Sequence, residues 1–233
     1  MRRQVVAELV GTAFLVIAVI GSGIMATRLS PGDRGLQLLE NSLATGAALM
    51  ALILALQPVS AAFNPVVTIA EAVLHQLDVV TASWVVVAQV SGGVVGAVVA
   101  NLMFGLDPVT IATHDRAAGG VWLGEVVATL GLVLVIFGSL RSGRVDTIAF
   151  SVGGYIAAAY WFTSSTSFAN PAVTVARMFS DTFAGIAPGS VPMFVLMQLV
   201  GAGLALGLVR LLYPGLRVVE PDRDPRAVDR SGS

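Results

Sequence analysis

Two short stretches decide the interpretation of this sequence: NPVVTIA at residues 64–70 and NPAVTVA at residues 170–176. Five of their seven positions are identical. Asn is a strong N-cap residue, and Pro suits the first helical position because its missing N–H costs nothing there. A single Asn-Pro pair is more often an ordinary turn, but two matched copies indicate a repeated element. Each copy therefore predicts the start of a helix.

The composition indicates a chain that lies in lipid. Of its 233 residues, 56% are apolar and 12% charged, with a net charge of −1, whereas soluble domains have about 25% charged residues. The mean hydropathy is +0.86. There is no Cys, and the two His, His75 and His114, lie far apart, so we expect no metal site, no cofactor and no nucleic-acid partner.

Six segments approach the roughly 20 apolar residues that a membrane-spanning helix needs. They are residues 5–27, 36–57, 79–104, 121–140, 146–163 and 189–212. The segments that open with Asn-Pro, about 64–74 and 170–179, are too short. Ten helical residues rise about 15 Å, half of the hydrocarbon core. The pattern predicts an all-α membrane protein with six transmembrane helices and two half-helices that together form a composite seventh span.

The two halves of the chain repeat each other. Three matched pairs lie 117, 106 and 109 residues apart: Glu8 with Glu125, Asn64 with Asn170, and Gln89 with Gln198. Each half, about 5–104 and 121–212, contains three spans, an odd number, so the second half enters the membrane from the opposite face. We therefore predict an inverted repeat, an architecture whose site lies at mid-membrane between discontinuous helices.

The arginines predict the orientation. With both termini in the cytoplasm, nine Arg lie inside and four outside, as the positive-inside rule favours. We expect one channel domain over residues 1–219 in a bacterial plasma membrane. Residues 220–233, EPDRDPRAVDRSGS, have the composition of a disordered cytoplasmic tail.

Two helix starts at membrane depth imply a protein-lined cavity, because lipid cannot satisfy exposed backbone groups. Two facing N-termini each carry about half a positive charge, which repels cations, including hydronium. The Asn64 and Asn170 carboxamides can each donate an N–H to a passing oxygen and interrupt a proton wire.

These residues resemble the major intrinsic protein family, the aquaporins and aquaglyceroporins, over about residues 5–212. Its two Asn-Pro-Ala boxes match Asn64-Pro65-Val66, with Val in place of the usual Ala, and Asn170-Pro171-Ala172. The resemblance implies a homotetramer with one pore per subunit. Val66 is only modestly larger than Ala, so we expect a slight change in half-helix contact and no loss of the pore.

Two pairs of polar residues within the spans are predicted to be structural. Glu8 and Glu125 resemble the family's two buried glutamates, which hold the half-helix loops from behind. A proton relay is the alternative role for them, although no further acid, His or Lys within the spans would continue it. Gln89 and Gln198 lie beside small residues that allow close helix approach, and they are predicted to make interhelical hydrogen bonds. The small residues are Gly92, Gly93, Gly96, Gly201, Gly203 and Gly207.

The predicted selectivity filter departs from the family pattern. Most members have Arg three residues after the second Asn, where this chain has Val173. Arg177 lies seven residues after that Asn, and Glu71 holds the matching place in the first copy. We expect both to face loops or water rather than the constriction. The filter residues expected instead are Thr45, Ala158 or Ala159, Phe168 and Val173, which would form a wide, weakly polar ring.

Such a ring favours uncharged solutes larger than water. The pattern resembles a bacterial aquaglyceroporin subgroup associated with permeation of arsenite as its neutral hydroxide, with glycerol-like polyols next. We therefore predict a passive channel whose partners are the lipid bilayer and small neutral solutes. The alternative is an ion- or proton-coupled secondary transporter built on inverted repeats. We expect no enzyme, because the spans contain no Ser–His, metal or paired-acid constellation.

Overall fold

The computed structural model describes residues 1–214, and every regular element in that part of the chain is helical. Eight α-helices follow one another in the order predicted from the sequence. They are α1 (Arg2–Leu29), α2 (Arg34–Leu56), α3 (Pro65–Val73), α4 (Val79–Met103), α5 (Gly119–Arg141), α6 (Ile148–Phe162), α7 (Pro171–Ala176) and α8 (Val191–Leu212). The predicted tail, 220–233, lies outside the described residues.

Six of these helices correspond to the predicted spans. Five of them, α1, α2, α4, α5 and α8, are long and apolar enough to cross a membrane. The sixth, α6, has 15 residues and follows a 3₁₀ turn at Val145–Thr147. At 1.5 Å per residue α6 rises about 22 Å, so its segment is the shortest of the six.

The half-helices α3 and α7 begin as the Asn-Pro pairs predict. The Asn64 side chain accepts a hydrogen bond from Val66 N, and the Asn170 side chain accepts bonds from Ala172 N and Val173 N. These caps satisfy N–H groups that a helix start leaves without intrahelical partners. α3 has nine residues, whereas α7 has six and continues as a 3₁₀ turn at Arg177–Phe179.

The long helices pack in matched pairs, α1 against α4 and α5 against α8, while α2 packs against α6 from the other repeat. Glycines allow the close approach in both matched pairs. A Cβ added at Gly92 would lie 2.2 Å from the Leu9 carbonyl oxygen, and one at Gly201 would lie 2.5 Å from the Val126 carbonyl oxygen. Gly203 and Gly207 were expected to act likewise, but they face open space, because they lie on another side of α8.

Candidate functional site: a cavity between two half-helices

The two Asn-Pro boxes meet at a cavity of about 570 Å³. Asn64 and Asn170 both line it, and each is at most 5% exposed. The residues three positions after each Asn, Val67 and Val173, line the same cavity. The repeat therefore brings its two matched boxes to one place.

The two asparagines tie the half-helices together by reciprocal hydrogen bonds. Asn64 Nδ2 donates to the Ala169 carbonyl oxygen, and Asn170 Nδ2 donates to the Phe63 carbonyl oxygen, both at 2.7 Å. Each amide nitrogen carries two hydrogens, so each Asn keeps one N–H beyond this bond. The side chains thus cap their own helix, bind the opposite loop and retain a donor beside the cavity.

The residues that accept these bonds have strained backbones. Phe63 has φ of 48° and Ala169 has φ of 47°, a left-handed conformation that costs a residue with a side chain of the order of 1–3 kcal/mol. The conformation aims each carbonyl at the opposite Asn while the same residue's N–H points to a buried glutamate. Hydrogen bonds on both sides of each residue maintain the strain.

Those glutamates are Glu8 and Glu125, both 0% exposed. Glu8 accepts bonds from Ala62 N at 2.8 Å and Phe63 N at 2.7 Å. Glu125 accepts bonds from Phe168 N and Ala169 N, both at 2.9 Å. Each carboxylate therefore holds the two backbone N–H groups that precede an Asn, the geometry of the scaffold role predicted from the sequence.

A glutamine and a threonine complete each of these networks. Gln89 Nε2 donates to Glu8 Oε2 at 2.8 Å and to Thr68 Oγ1 at 2.9 Å. Gln198 Nε2 makes the matching bonds, to Glu125 Oε2 at 2.6 Å and to Thr174 Oγ1 at 2.9 Å. The glutamines thus link a long helix to the back of a half-helix. Thr68 and Thr174 were not singled out beforehand, although the shared NPxVT pattern could have indicated them.

The structure places three of the predicted filter residues, Thr45, Phe168 and Val173, in the cavity lining. It does not place Ala158 or Ala159 there, so the expectation for α6 needs correction. Ala158 is exposed and Ala159 is buried away from the cavity. The lining residues from α6 recur every four positions and share a face of the helix. They are Ile148, Val152, Ile156 and Tyr160.

Arg177 also departs from the expectation that it faces loops or water. It is 3% exposed and lines the cavity. Its Nε donates to the Ala184 carbonyl oxygen, and its guanidinium lies 3.4 Å from the centre of the Phe168 ring. Glu71, its counterpart in the first repeat, lines the cavity too. The residue seven positions after each Asn therefore reaches the cavity in both repeats.

A second arginine, Arg116, packs against the same Phe168 ring. The Arg116 guanidinium lies 4.9 Å from the Phe168 ring centre, and its Nε donates to the Gly185 carbonyl oxygen at 3.1 Å. Burial lowers the pKa of Arg116 to about 10, which leaves it protonated at neutral pH. Partial burial first, and then the positive charges of Arg116, Arg177 and Arg34, lower the pKa of His114 nearby. Arg116 itself lies outside the cavity lining, whereas Arg177 lines it.

Comparisons with known proteins point to one family. The family model described as "Major intrinsic protein" matches residues 1–147. The chain is 45% identical to "Aquaglyceroporin AqpS" of Rhizobium meliloti (strain 1021), over 97% of this chain and 98% of that protein. The chain belongs to the major intrinsic protein family. It is 30% identical to the lens fiber major intrinsic protein of Ovis aries, over 93% of this chain and 84% of that protein.

A solved structure shows the same fold. The aquaglyceroporin from Plasmodium falciparum superposes with a TM-score of 0.66 at 19% identity, covering 91% of this chain and 95% of that chain. Membership of the major intrinsic protein family makes the protein a passive membrane channel and not an enzyme. The helical fold of residues 1–214 is that of an aquaporin.

Proposed function

We propose that the channel conducts small uncharged hydroxylated solutes: polyols such as glycerol, neutral metalloid hydroxides such as arsenite, and water. The observation that carries this proposal is the cavity between Asn64 and Asn170, which Val173 lines at the position of the family's usual arginine. The 45% identical relative is itself named an aquaglyceroporin, which supports solutes larger than water.

The paired half-helices account for a preference for uncharged solutes. Their N-termini, at Pro65 and Pro171, each contribute a partial positive charge where the two boxes meet. The free N–H of each Asn can donate to a solute oxygen and orient it. A cation meets repulsion at this point, and a hydronium ion also loses its chain of hydrogen-bonded water. A neutral hydroxyl group can exchange its water contacts for the Asn donors.

The role proposed for Glu8 and Glu125 is to hold the two half-helix loops, with Gln89 and Gln198 as their partners. Four donors saturate Glu8: Ser60 Oγ, Ala62 N, Phe63 N and Gln89 Nε2. A carboxylate that accepts this many bonds is suited to a fixed structural role rather than to proton transfer.

We further propose that both termini face the cytoplasm of a bacterium and that four subunits assemble, each with its own pore. The Arg177 end of the cavity then faces the outside. Because the chain has no Cys, single cysteines can report sidedness: Asp107→Cys follows α4 and Asp146→Cys follows α5, and both positions are exposed. A membrane-impermeant maleimide added to intact cells should label only Asp107→Cys. Labelling of Asp146→Cys alone would reverse the orientation.

Purified protein in proteoliposomes tests the solute assignment. Glycerol and arsenite should equilibrate downhill faster than in protein-free vesicles and without a pH gradient. Accumulation of either solute against its gradient, driven by pH, would instead support a coupled transporter. Passage of water without glycerol or arsenite would limit the function to a water channel.

A further inference from the structure

We propose that Arg177 and Tyr160 form a binding site for hydroxylated solutes at one end of the cavity and that Arg177 determines its selectivity. The inference rests on the proposed function and deepens it. In most members of the family, the cation of the selectivity filter is an Arg three residues after the second Asn, where this chain has Val173. We assign that role to Arg177, which lies four residues, or about one helical turn, further along the chain.

The first observation is the fixed orientation of the Arg177 guanidinium. Its Nε–H donates to the Ala184 carbonyl, and one face is covered by the Phe168 ring at 3.4 Å. A guanidinium has five N–H donors, so four remain on the two terminal nitrogens. Because Arg177 lines the cavity, a solute oxygen there can accept from these donors. A planar, anchored fork of this kind is pre-organised for oxygen ligands.

The second observation is a pair of hydroxyls in the same lining. Tyr160 Oη donates to Thr45 Oγ1 at 3.3 Å, and both residues line the cavity. Tyr160 is 3% exposed, and each hydroxyl can both donate and accept. Tyr160 is among the groups whose electrostatic field reaches Arg177, so the two residues lie near each other. A solute hydroxyl that accepts from Arg177 can then donate its own hydrogen to an oxygen of this pair.

The third observation is the apolar part of the lining. Val173 and Phe168 line the cavity beside these polar groups. A lining with both polar and apolar parts matches a molecule with both carbon and hydroxyl surfaces, since the carbons can contact Val173 while the oxygens reach Arg177 and Tyr160. The solute class that fits is a small neutral polyol or hydroxide.

The fourth observation comes from the repeat. Glu71, at the position matching Arg177, lines the cavity as well. Two independent copies of the half-helix thus bring the same position to the cavity, which indicates that this register is a property of the fold. The two copies differ in charge, so only the second offers a cation to a passing solute.

Arg177 variants in proteoliposomes test the assignment. The measured quantity is the ratio of glycerol flux to methylammonium flux. In Arg177→Gln this ratio should fall about tenfold, because a hydrogen bond to a charged donor is lost and the barrier to cations drops. Arg177→Lys should keep cations out yet lower glycerol flux, since an ammonium cannot stack and fork as a guanidinium does. Tyr160→Phe should lower glycerol flux with cation exclusion unchanged.

The matched control is Arg116→Gln, which removes the other guanidinium on the Phe168 ring from a residue outside the cavity lining. Its glycerol-to-methylammonium ratio should stay within about twofold of wild type. If Arg177 only anchors the Ala184 loop, its variants will change both fluxes in proportion to folded protein, and a constant ratio would overturn the proposal.

A transfer of the charge provides a second route if single variants fold poorly. Val173→Arg combined with Arg177→Val moves the guanidinium back by four residues, and this double variant should pass less methylammonium than Arg177→Val alone, in which the half-helix N-termini are the barrier that remains. Equal methylammonium flux in the two would overturn the proposal. A wild-type protein that passes no solute would instead defeat the proposed function, so the two failures are distinguishable.

Discussion

The two repeats agree on their scaffold side, and on their cavity side they differ at the residue seven positions after each Asn. Behind each half-helix the same three residue types, Glu, Gln and Thr, form the same hydrogen bonds. Facing the cavity, Glu71 in one repeat corresponds to Arg177 in the other. The scaffold groups satisfy buried backbone N–H groups that both copies share, so the same chemistry serves twice. Glu71 and Arg177 contact a solute from opposite ends of the cavity, so nothing requires these two residues to have the same chemistry.

The largest expected effect tests the equality of the two scaffolds. Glu8→Ala and Glu125→Ala each leave two backbone N–H groups without an acceptor, at roughly 1–3 kcal/mol apiece, and remove the carboxylate to which Gln89 or Gln198 donates. We expect both variants to lose about 3–6 kcal/mol of stability or to fail to fold, as measured by thermal unfolding in detergent.

Glu8→Gln and Glu125→Gln retain one acceptor oxygen and serve as the milder matched pair. Both should unfold at temperatures between wild type and the corresponding Ala variant. If one Ala variant folded and conducted normally while the other collapsed, the two networks would not be equivalent and the comparison of the repeats would fail.

A smaller effect is expected at the helix contacts that the repeats share. Gly92→Ala brings a Cβ to 2.2 Å from the Leu9 carbonyl oxygen, and Gly201→Ala brings one to 2.5 Å from that of Val126. Overpacking of this kind costs roughly 1–3 kcal/mol. Both variants should melt at lower temperature than wild type in detergent.

The control for these substitutions is Gly203→Ala on α8, where an added Cβ meets nothing within 4 Å. It should melt close to wild type. A melting temperature for Gly203→Ala as low as that for Gly201→Ala would mean that loss of glycine itself, rather than the close helix contact, causes the change.

The smallest effect concerns the third residue of the first box. Val66→Ala makes that box match the second. Val66 is 0% exposed and packs in a cluster with Val133 and Phe137, so removing its methyl groups should destabilise the protein by about 1–2 kcal/mol. Val66 lies outside the cavity lining, and the glycerol flux per folded channel should stay within about twofold of wild type. A larger change in flux would show that the two boxes also differ in the pore.

The sequence alone determined the helices and their duplication. Asn-Pro is a local capping device, so the starts of α3 and α7 follow from adjacent residues. The spans follow from apolar length, and the repeat follows from spacing. Glu8 and Glu125 were recognisable because a matched ionisable pair inside spans needs buried partners. Each of these inferences depends on local chemistry or on counting along the chain.

Only the tertiary structure decided which side chains reach the cavity. Tyr160 lines the cavity and Ala158 does not, because the rotation of α6 against α2 decides which face of the helix is turned to the cavity. At about 100° per residue, positions 158 and 160 point about 200° apart. Arg177 is held at the cavity by supports on both sides of α7: the loop before α7 supplies the Phe168 ring, and the chain after it supplies the Ala184 carbonyl. Such supports come from different segments of the chain, so no pattern within one helix could have indicated them.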